Sequence, residues 1–122
     1  MVSNNVIKKW GYEIWIVNND LYCGKHLHVL PTKQCSVHYH KNKTETFYVI
    51  NGALKLEFST VLDLEFWRDY TPKFVVLNKG QSITLQPMTA HRFSSAFDYP
   101  CDFIEFSTHH SDDDSYRIIE SK

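Results

Sequence analysis

The sequence predicts an all-β domain, a sandwich or barrel of short strands, and three observations carry that prediction. No stretch of the 122 residues sustains the three- and four-residue apolar spacing of an amphipathic helix. Roughly nine short β-rich runs follow one another instead, each closed by turn residues. Aromatic residues make up 15% of the chain, which suits pleated surfaces or a substrate-lined cavity. A chain of this length buries a core as one domain without a disulfide or metal prop.

The first run is EIWIV at residues 13–17, closed by NND, and the second is YCGKHLHVL at 22–30, closed by PTK. CSVHYH at 35–40 and TFYVI at 46–50 follow, separated by the polar KNKT, which reads as a turn. Asn51-Gly52 is the strongest hairpin signal in the chain, since a two-residue turn needs positive φ at both positions. ALKLEF at 53–58 then returns with Leu54, Leu56 and Phe58 alternating against Lys55 and Glu57. Residues 59–73 read either as a further hairpin or as a loop with one helical turn. FVVL at 74–77, SITL at 82–85, HRFSS at 91–95 and CDFIEFS at 101–107 complete the strands. Residues 1–8 form a short arm. The polar tail at 108–122, whose one apolar pair is Ile118-Ile119, reads as a short strand or helix over a barrel mouth or as a loose end.

Composition excludes several classes of function. The net charge is −1 with the charges well mixed, so no basic stripe offers itself to nucleic acid. No apolar run approaches the roughly 20 residues of a membrane span. MVSNNVIKKW lacks the apolar centre of a signal peptide, so the expected location is cytoplasmic. Cys23, Cys35 and Cys101 are odd in number and scattered, as expected of reduced, buried or half-buried thiols.

The chemistry concentrates in HYHKNKTETFYVING, residues 38–52. Residues i and i+2 of a strand share a face, so His38 and His40 project together. The turn that follows brings Glu45 back beside them. Two imidazoles and a carboxylate on one spot hold a divalent transition metal, and His91 in PMTAHRF is the candidate fourth ligand. Each histidine alone is more often an ordinary core or surface residue; the joint spacing reverses that reading. Such a set accepts Fe(II), Mn(II), Zn(II), Ni(II) or Co(II) and leaves two octahedral positions for water or substrate oxygens.

The same alternation assigns faces. Ser36 shares the inner face with His38 and His40, while Val37 and Tyr39 point away. Phe47 and Val49 join Glu45 inside, leaving Tyr48 and Ile50 outside. Apolar residues on both faces imply that the outer one is covered, most simply in a homodimer. Lys25 shares a face with Leu27 and Val29, so it enters the cavity and His26 and His28 do not. An ammonium inside a barrel needs an anionic partner, either a protein carboxylate or a bound substrate. Glu105, on the face of Phe103 and Ser107, is a candidate for that carboxylate or for a general base. The bland alternative for Lys25 and Glu105 is a structural ion pair or a pair of exposed edge positions. His109 and His110 have no partner spacing and read as solvent-exposed.

These motifs resemble those of the cupin superfamily. His38-x-His40-x4-Glu45-x6-Gly52 is similar to its first signature, with Thr32 standing where the family opens with glycine. Gly80…Pro87…His91 resembles the second, with His91 one residue nearer the proline than usual. A narrower likeness runs from Lys9 to Arg117. Lys9-Trp10-Gly11-Tyr12-Glu13, Tyr22, Lys25, PMTAHRF, Ile104-Glu105, Asp113-Asp114 and Arg117 resemble segments of type II phosphomannose isomerases and related cupin sugar isomerases.

The resemblance implies a single cupin domain over 1–122, a double-stranded β-helix or jelly-roll barrel. It also implies one divalent metal on His38, His40, Glu45 and His91. The activity it implies is aldose–ketose isomerisation of a sugar or sugar phosphate, mannose-6-phosphate isomerase-like. Glu105 and Lys25 would be catalytic, and Lys25, Ser36, Phe47 and Arg117 would bind substrate. The alternatives are a non-catalytic sugar- or metal-binding cupin and an Fe(II) dioxygenase.

Overall fold

A computed structural model describes residues 4–122. Its strands are β1 (Asn5–Lys8), β2 (Gly11–Asn18), β3 (Cys23–Val29), β4 (Val37–Tyr39), β5 (Glu45–Asn51) and β6 (Ala53–Ser59), then β7 (Lys73–Asn78), β8 (Ser82–Leu85), β9 (Ala90–Ser95), β10 (Cys101–Ser107) and β11 (Tyr116–Ile119). They form two antiparallel sheets, one in the order β1-β2-β3-β10-β5-β8 and the other β11-β4-β9-β6-β7. The sheets face each other across one core in which Leu27, Val29, Phe47, Val49 and Phe103 of the first meet Leu54, Leu56 and Phe93 of the second. Phe93 and Phe103 meet edge-on with centroids 5.1 Å apart, and Trp10 packs edge-on to Phe93 at 4.9 Å. Each such contact adds about 0.5–1.5 kcal/mol beyond the area it buries.

The all-β prediction therefore holds, with two strands more than the sequence reading. Asn5–Lys8, expected as part of an arm, pairs with β2 from Asn5↔Ile14 to Lys8↔Gly11. In the tail, β11 pairs with β4 and closes an edge of the second sheet. The expected arm also takes in residues 1–3, which lie outside the described residues.

The Asn51-Gly52 hairpin is not formed. β5 lies in the first sheet, between β10 and β8, whereas β6 lies in the second, between β9 and β7. The dipeptide is a crossing from one layer to the other. Only Gly52 has positive φ, at 74°, and a Cβ there would stand 2.5 Å from the carbonyl oxygen of Pro100. The turn residue is needed for a close backbone approach, which local sequence cannot distinguish from a hairpin. Thr32 takes φ 64°. That left-handed conformation is costly for a β-branched residue.

Residues 59–73 contain one short helix, α1 (Leu64–Asp69), capped by the Asp63 carboxylate, which accepts from the Glu65 amide at 2.9 Å. Its Trp67 packs with Val37 and Ala90, joined by Tyr39, Ile118 and Ile119. The outer face of β4 is thus covered by the chain's own helix and tail, with no need of a second copy. On the other sheet, Tyr48 and Phe106 stay exposed.

Candidate metal centre

β4 and β9 are joined at His38↔His91, and His40 follows immediately after β4. One ring nitrogen from each of His38, His40 and His91 lies within 4.8 Å of those of the other two. The other nitrogen of each ring is anchored to backbone. Nδ1 of His38 donates to the Ser36 carbonyl at 3.0 Å, Nδ1 of His40 to the Asp114 carbonyl at 2.9 Å, and Nδ1 of His91 to the Thr89 carbonyl at 2.9 Å. A carbonyl only accepts, so each Nδ1 carries the proton and each Nε2 presents a lone pair. Backbone anchoring of this kind fixes the tautomer and orientation of metal-binding imidazoles.

Glu45, at the start of β5, stands beside two of the three rings. Its Oε2 is 3.3 Å from Nε2 of His40 and 3.7 Å from Nε2 of His91. His91 is 1% exposed, and its Nε2 has no hydrogen-bond partner among the described residues. A buried polar atom in that condition costs about 1–3 kcal/mol. Three imidazole lone pairs converging around an unpartnered, buried Nε2 are what a cation resolves, so the residues fit a bound divalent ion.

The electrostatics agree. Burial, reinforced by the neighbouring imidazoles, holds His38 far below the ordinary histidine range. Burial and the Lys43 charge push His40 down to about 3, and burial takes His91 down to about 4. All three are therefore neutral at pH 7, the ligand form. Burial and the charge of Glu105 push the Glu45 carboxyl up to about 8, so without an ion it holds a proton at pH 7 that metal binding would displace.

A second chain of polar groups runs beside the histidines. Lys43 Nζ lies 2.7 Å from Oε2 of Glu105 and donates to Nδ1 of His110 at 2.9 Å. Nε2 of His110 in turn donates to Oδ1 of Asp112 at 2.9 Å, at the protein surface. Burial would raise Glu105, but Lys43 and Lys25 outweigh it and keep the carboxylate ionised. Lys25 faces inward with its Nζ 4.1 Å from the ring centroid of Trp15. Asp114 holds the turn after His40, accepting from the amides of Lys41 at 2.9 Å and Asn42 at 3.1 Å.

Lys25, Lys43, Glu105, His110 and Asp112 line a cavity of about 1090 Å³ between the sheets. Its wall includes the sequence-derived candidates Lys25, Ser36, His38, His40, Glu45, Phe47, Glu105 and Arg117. His91 sits behind the wall. Ser36 Oγ lies 3.2 Å from His38 Nδ1, Phe47 packs on Phe103, and Arg117 is exposed at the rim, 3.6 Å from Glu120.

Two polar members escaped the sequence reading. His110, expected in solvent, is 9% exposed, because the chain turns back after β10 and its carbonyl and amide bond to the Asn18 side chain. Nothing in its sequence neighbourhood signals that. Lys43, expected in an open turn, is 3% exposed. It is two residues before Glu45, so extending the β5 alternation backwards places it inside.

Solved structures share this architecture. The capsular polysaccharide assembling protein CapF from Staphylococcus aureus superposes with a TM-score of 0.75 at 15% identity, over 95% of this chain and 34% of its own. A Bacillus subtilis oxalate decarboxylase, described for its Mn(II) centres, gives 0.72 at 16% identity, over 88% of this chain and 28% of its own. KdgF from Halomonas sp. gives 0.70 at 13% identity, over 88% of both chains. The chain has the cupin fold. It spans about a third of the length of CapF and of the decarboxylase, and most of the length of KdgF. No family model matches the sequence, nor does any curated protein. With the three-histidine cluster, the fold supports a metal-binding cupin. Among the described residues, no helix is long and apolar enough to cross a membrane.

Proposed function

We propose that this cupin is a metal-dependent enzyme acting on a carbohydrate, an aldose–ketose isomerase of a sugar or sugar phosphate. The observation that carries the metal half is the convergence of three imidazoles, each anchored through Nδ1, with the Glu45 carboxyl beside two of them. The carbohydrate half is supported by the resemblance of the Trp10–Glu13 opening and PMTAHRF to sugar isomerases. A neighbour of the same fold is described as assembling a capsular polysaccharide.

A divalent ion on His38, His40, Glu45 and His91 would supply Lewis acidity to adjacent carbonyl and hydroxyl oxygens. The chain's own groups do the rest. Glu105, kept ionised by Lys43, takes the proton from C2 of the aldose and returns it to C1, while the O2 proton passes to O1. Lys43, beside Glu105, steadies the negative charge that develops on the substrate oxygens. Phe47 and Leu27 form the apolar floor that excludes water. A homodimer formed over the exposed Tyr48 and Phe106 side belongs to the same reading; sedimentation velocity would test it, and a monomer at high micromolar concentration would remove it.

One observation favours a second reading, a sugar-binding cupin without turnover. The 2.7 Å contact with Lys43 ties up the carboxylate that a proton shuttle requires. The two readings separate in one experiment: elemental analysis of purified protein with His38→Ala and Glu45→Ala controls, beside an aldose–ketose assay with mannose and mannose 6-phosphate. Isomerisation that both substitutions abolish supports the enzyme. Thermal stabilisation by these sugars without conversion supports the binder. Bound metal that neither substitution lowers removes both.

A further inference from the structure

The register places Lys25 directly opposite Glu105 on adjacent strands. That is the position in which an inward ammonium and an inward carboxylate would pair. They do not. The Glu105 carboxylate is taken by Lys43 at 2.7 Å, and among the described residues no carboxylate oxygen lies within 4.0 Å of Lys25 Nζ. Lys25 is nevertheless 3% exposed. Burying a long cation without a counter-ion is costly, so its position calls for an explanation.

The structure holds Lys25 in place by other means. The Glu13 carboxylate accepts from the Trp15 indole at 2.8 Å and fixes that ring. The ring face then carries the Lys25 ammonium at 4.1 Å. A π face attracts the charge without competing for N–H donors as a carboxylate would, so those donors remain available to the cavity that Glu13, Trp15 and Lys25 all line. The charge balance points the same way. Of the charged groups that line the cavity, Lys8, Lys25, Lys43 and Arg117 balance Glu13, Glu45, Glu105 and Asp112, so a divalent ion on the histidines would add two uncompensated positive charges.

We propose that Lys25, presented on Trp15, is an anion subsite, and that the ligand of this cavity carries an oxyanion, a carboxylate or a phosphate, in addition to the oxygens that reach the metal centre. The assignment rests on the carbohydrate reading and narrows it to acidic or phosphorylated sugars.

Titration calorimetry of the Mn(II)-loaded chain with D-mannose, D-mannuronate and D-mannose 6-phosphate tests it. At least one charged sugar is expected to bind on the order of 10- to 100-fold more tightly than mannose, the range of a desolvated charge-assisted hydrogen bond. The arm that shows the gain identifies carboxylate or phosphate. Lys25→Met is expected to erase the gain and Lys25→Arg to keep most of it, with the metal content of both unchanged. Equal binding of charged and neutral sugars, or a preference that survives in Lys25→Met, overturns the subsite while the measured mannose affinity still supports the carbohydrate reading. Binding of none of the three overturns the subsite and the carbohydrate reading together, whereas a chain that takes up no Mn(II) overturns the metal centre. The comparison of charged with neutral sugar needs no variant, so it decides the matter even if Lys25→Met does not fold.

Discussion

The chain contains two His-x-His pairs, one on β3 and one at the end of β4, and they have opposite fates. His38 and His40 turn inward, anchor their Nδ1 atoms on carbonyls and leave lone pairs converging with that of His91, Glu45 lying 3.3 Å from His40. His26 and His28, on β3, turn outward. Nε2 of His26 and Nδ1 of His28 sit 2.9 and 2.8 Å from one and the same oxygen of Asp102, and Tyr12 stacks on His28 at 4.8 Å. The outer pair has its hydrogen-bond partner. The inner pair has its protons placed on carbonyls, and among the described residues the buried Nε2 of His91 beside it has no partner. Identical spacing yields converging lone pairs in one place and a hydrogen-bonded structural cluster in the other, and the difference lies in the face and in what meets it.

The largest expected effect of breaking that difference is on stability. Lys43→Met leaves Glu105 buried beside the histidines without its partner, and urea unfolding is expected to show a loss of about 3–5 kcal/mol. No outer-face substitution should approach that. A loss below about 1 kcal/mol would mean that Glu105 is hydrated or protonated, and the inner cluster is less dry than its geometry states.

The next effect is on pH dependence. A histidine that titrates near 6.5 unfolded but at about 4 folded, as His91 does through burial, takes up its proton in the unfolded chain first. Its contribution is therefore fully favourable above pH 6.5 and is lost as pH falls from 6.5 towards 4. Metal-free protein is expected to lose on the order of 3 kcal/mol from this group over that interval, and His91→Asn to remove this part of the slope. Parallel curves for the two proteins in urea unfolding at pH 7, 6, 5 and 4 would contradict it.

The smallest effect is at the outer pair. Asp102→Asn keeps the shape and removes the charge that both imidazoles face, and a loss of about 1 kcal/mol is expected, with metal content untouched. A fall in bound metal on this substitution would mean that the two faces are coupled.

Much of the inner pair was legible in advance. Alternation along β3, β4 and β5 assigns Lys25, His38, His40, Glu45 and Phe47 to one interior, because a strand's period of two is a local property that burial enforces. The spacing from His40 to Glu45 and the distant His91 name a metal-ligating set before any coordinates. What was not legible is non-local. Asn51-Gly52 looks like a hairpin because turn chemistry is the same whether the chain doubles back or crosses to the facing sheet. His110 becomes buried only because β10 ends beside Asn18, 92 residues earlier in the chain. Lys43 was hidden differently: a polar run suggested a turn, although the parity of Glu45 already reached it.

The central claim is that the inward His-x-His pair holds a metal and the outward pair does not. Elemental analysis after incubation with Mn(II) or Zn(II) and desalting tests it most directly, on wild type, His38→Ala, His91→Ala and the His26→Ala/His28→Ala double variant. Wild type and the double variant are expected to retain about one ion per chain, and the two inner variants close to none. Equal metal in all four proteins, or none in wild type, would contradict the account.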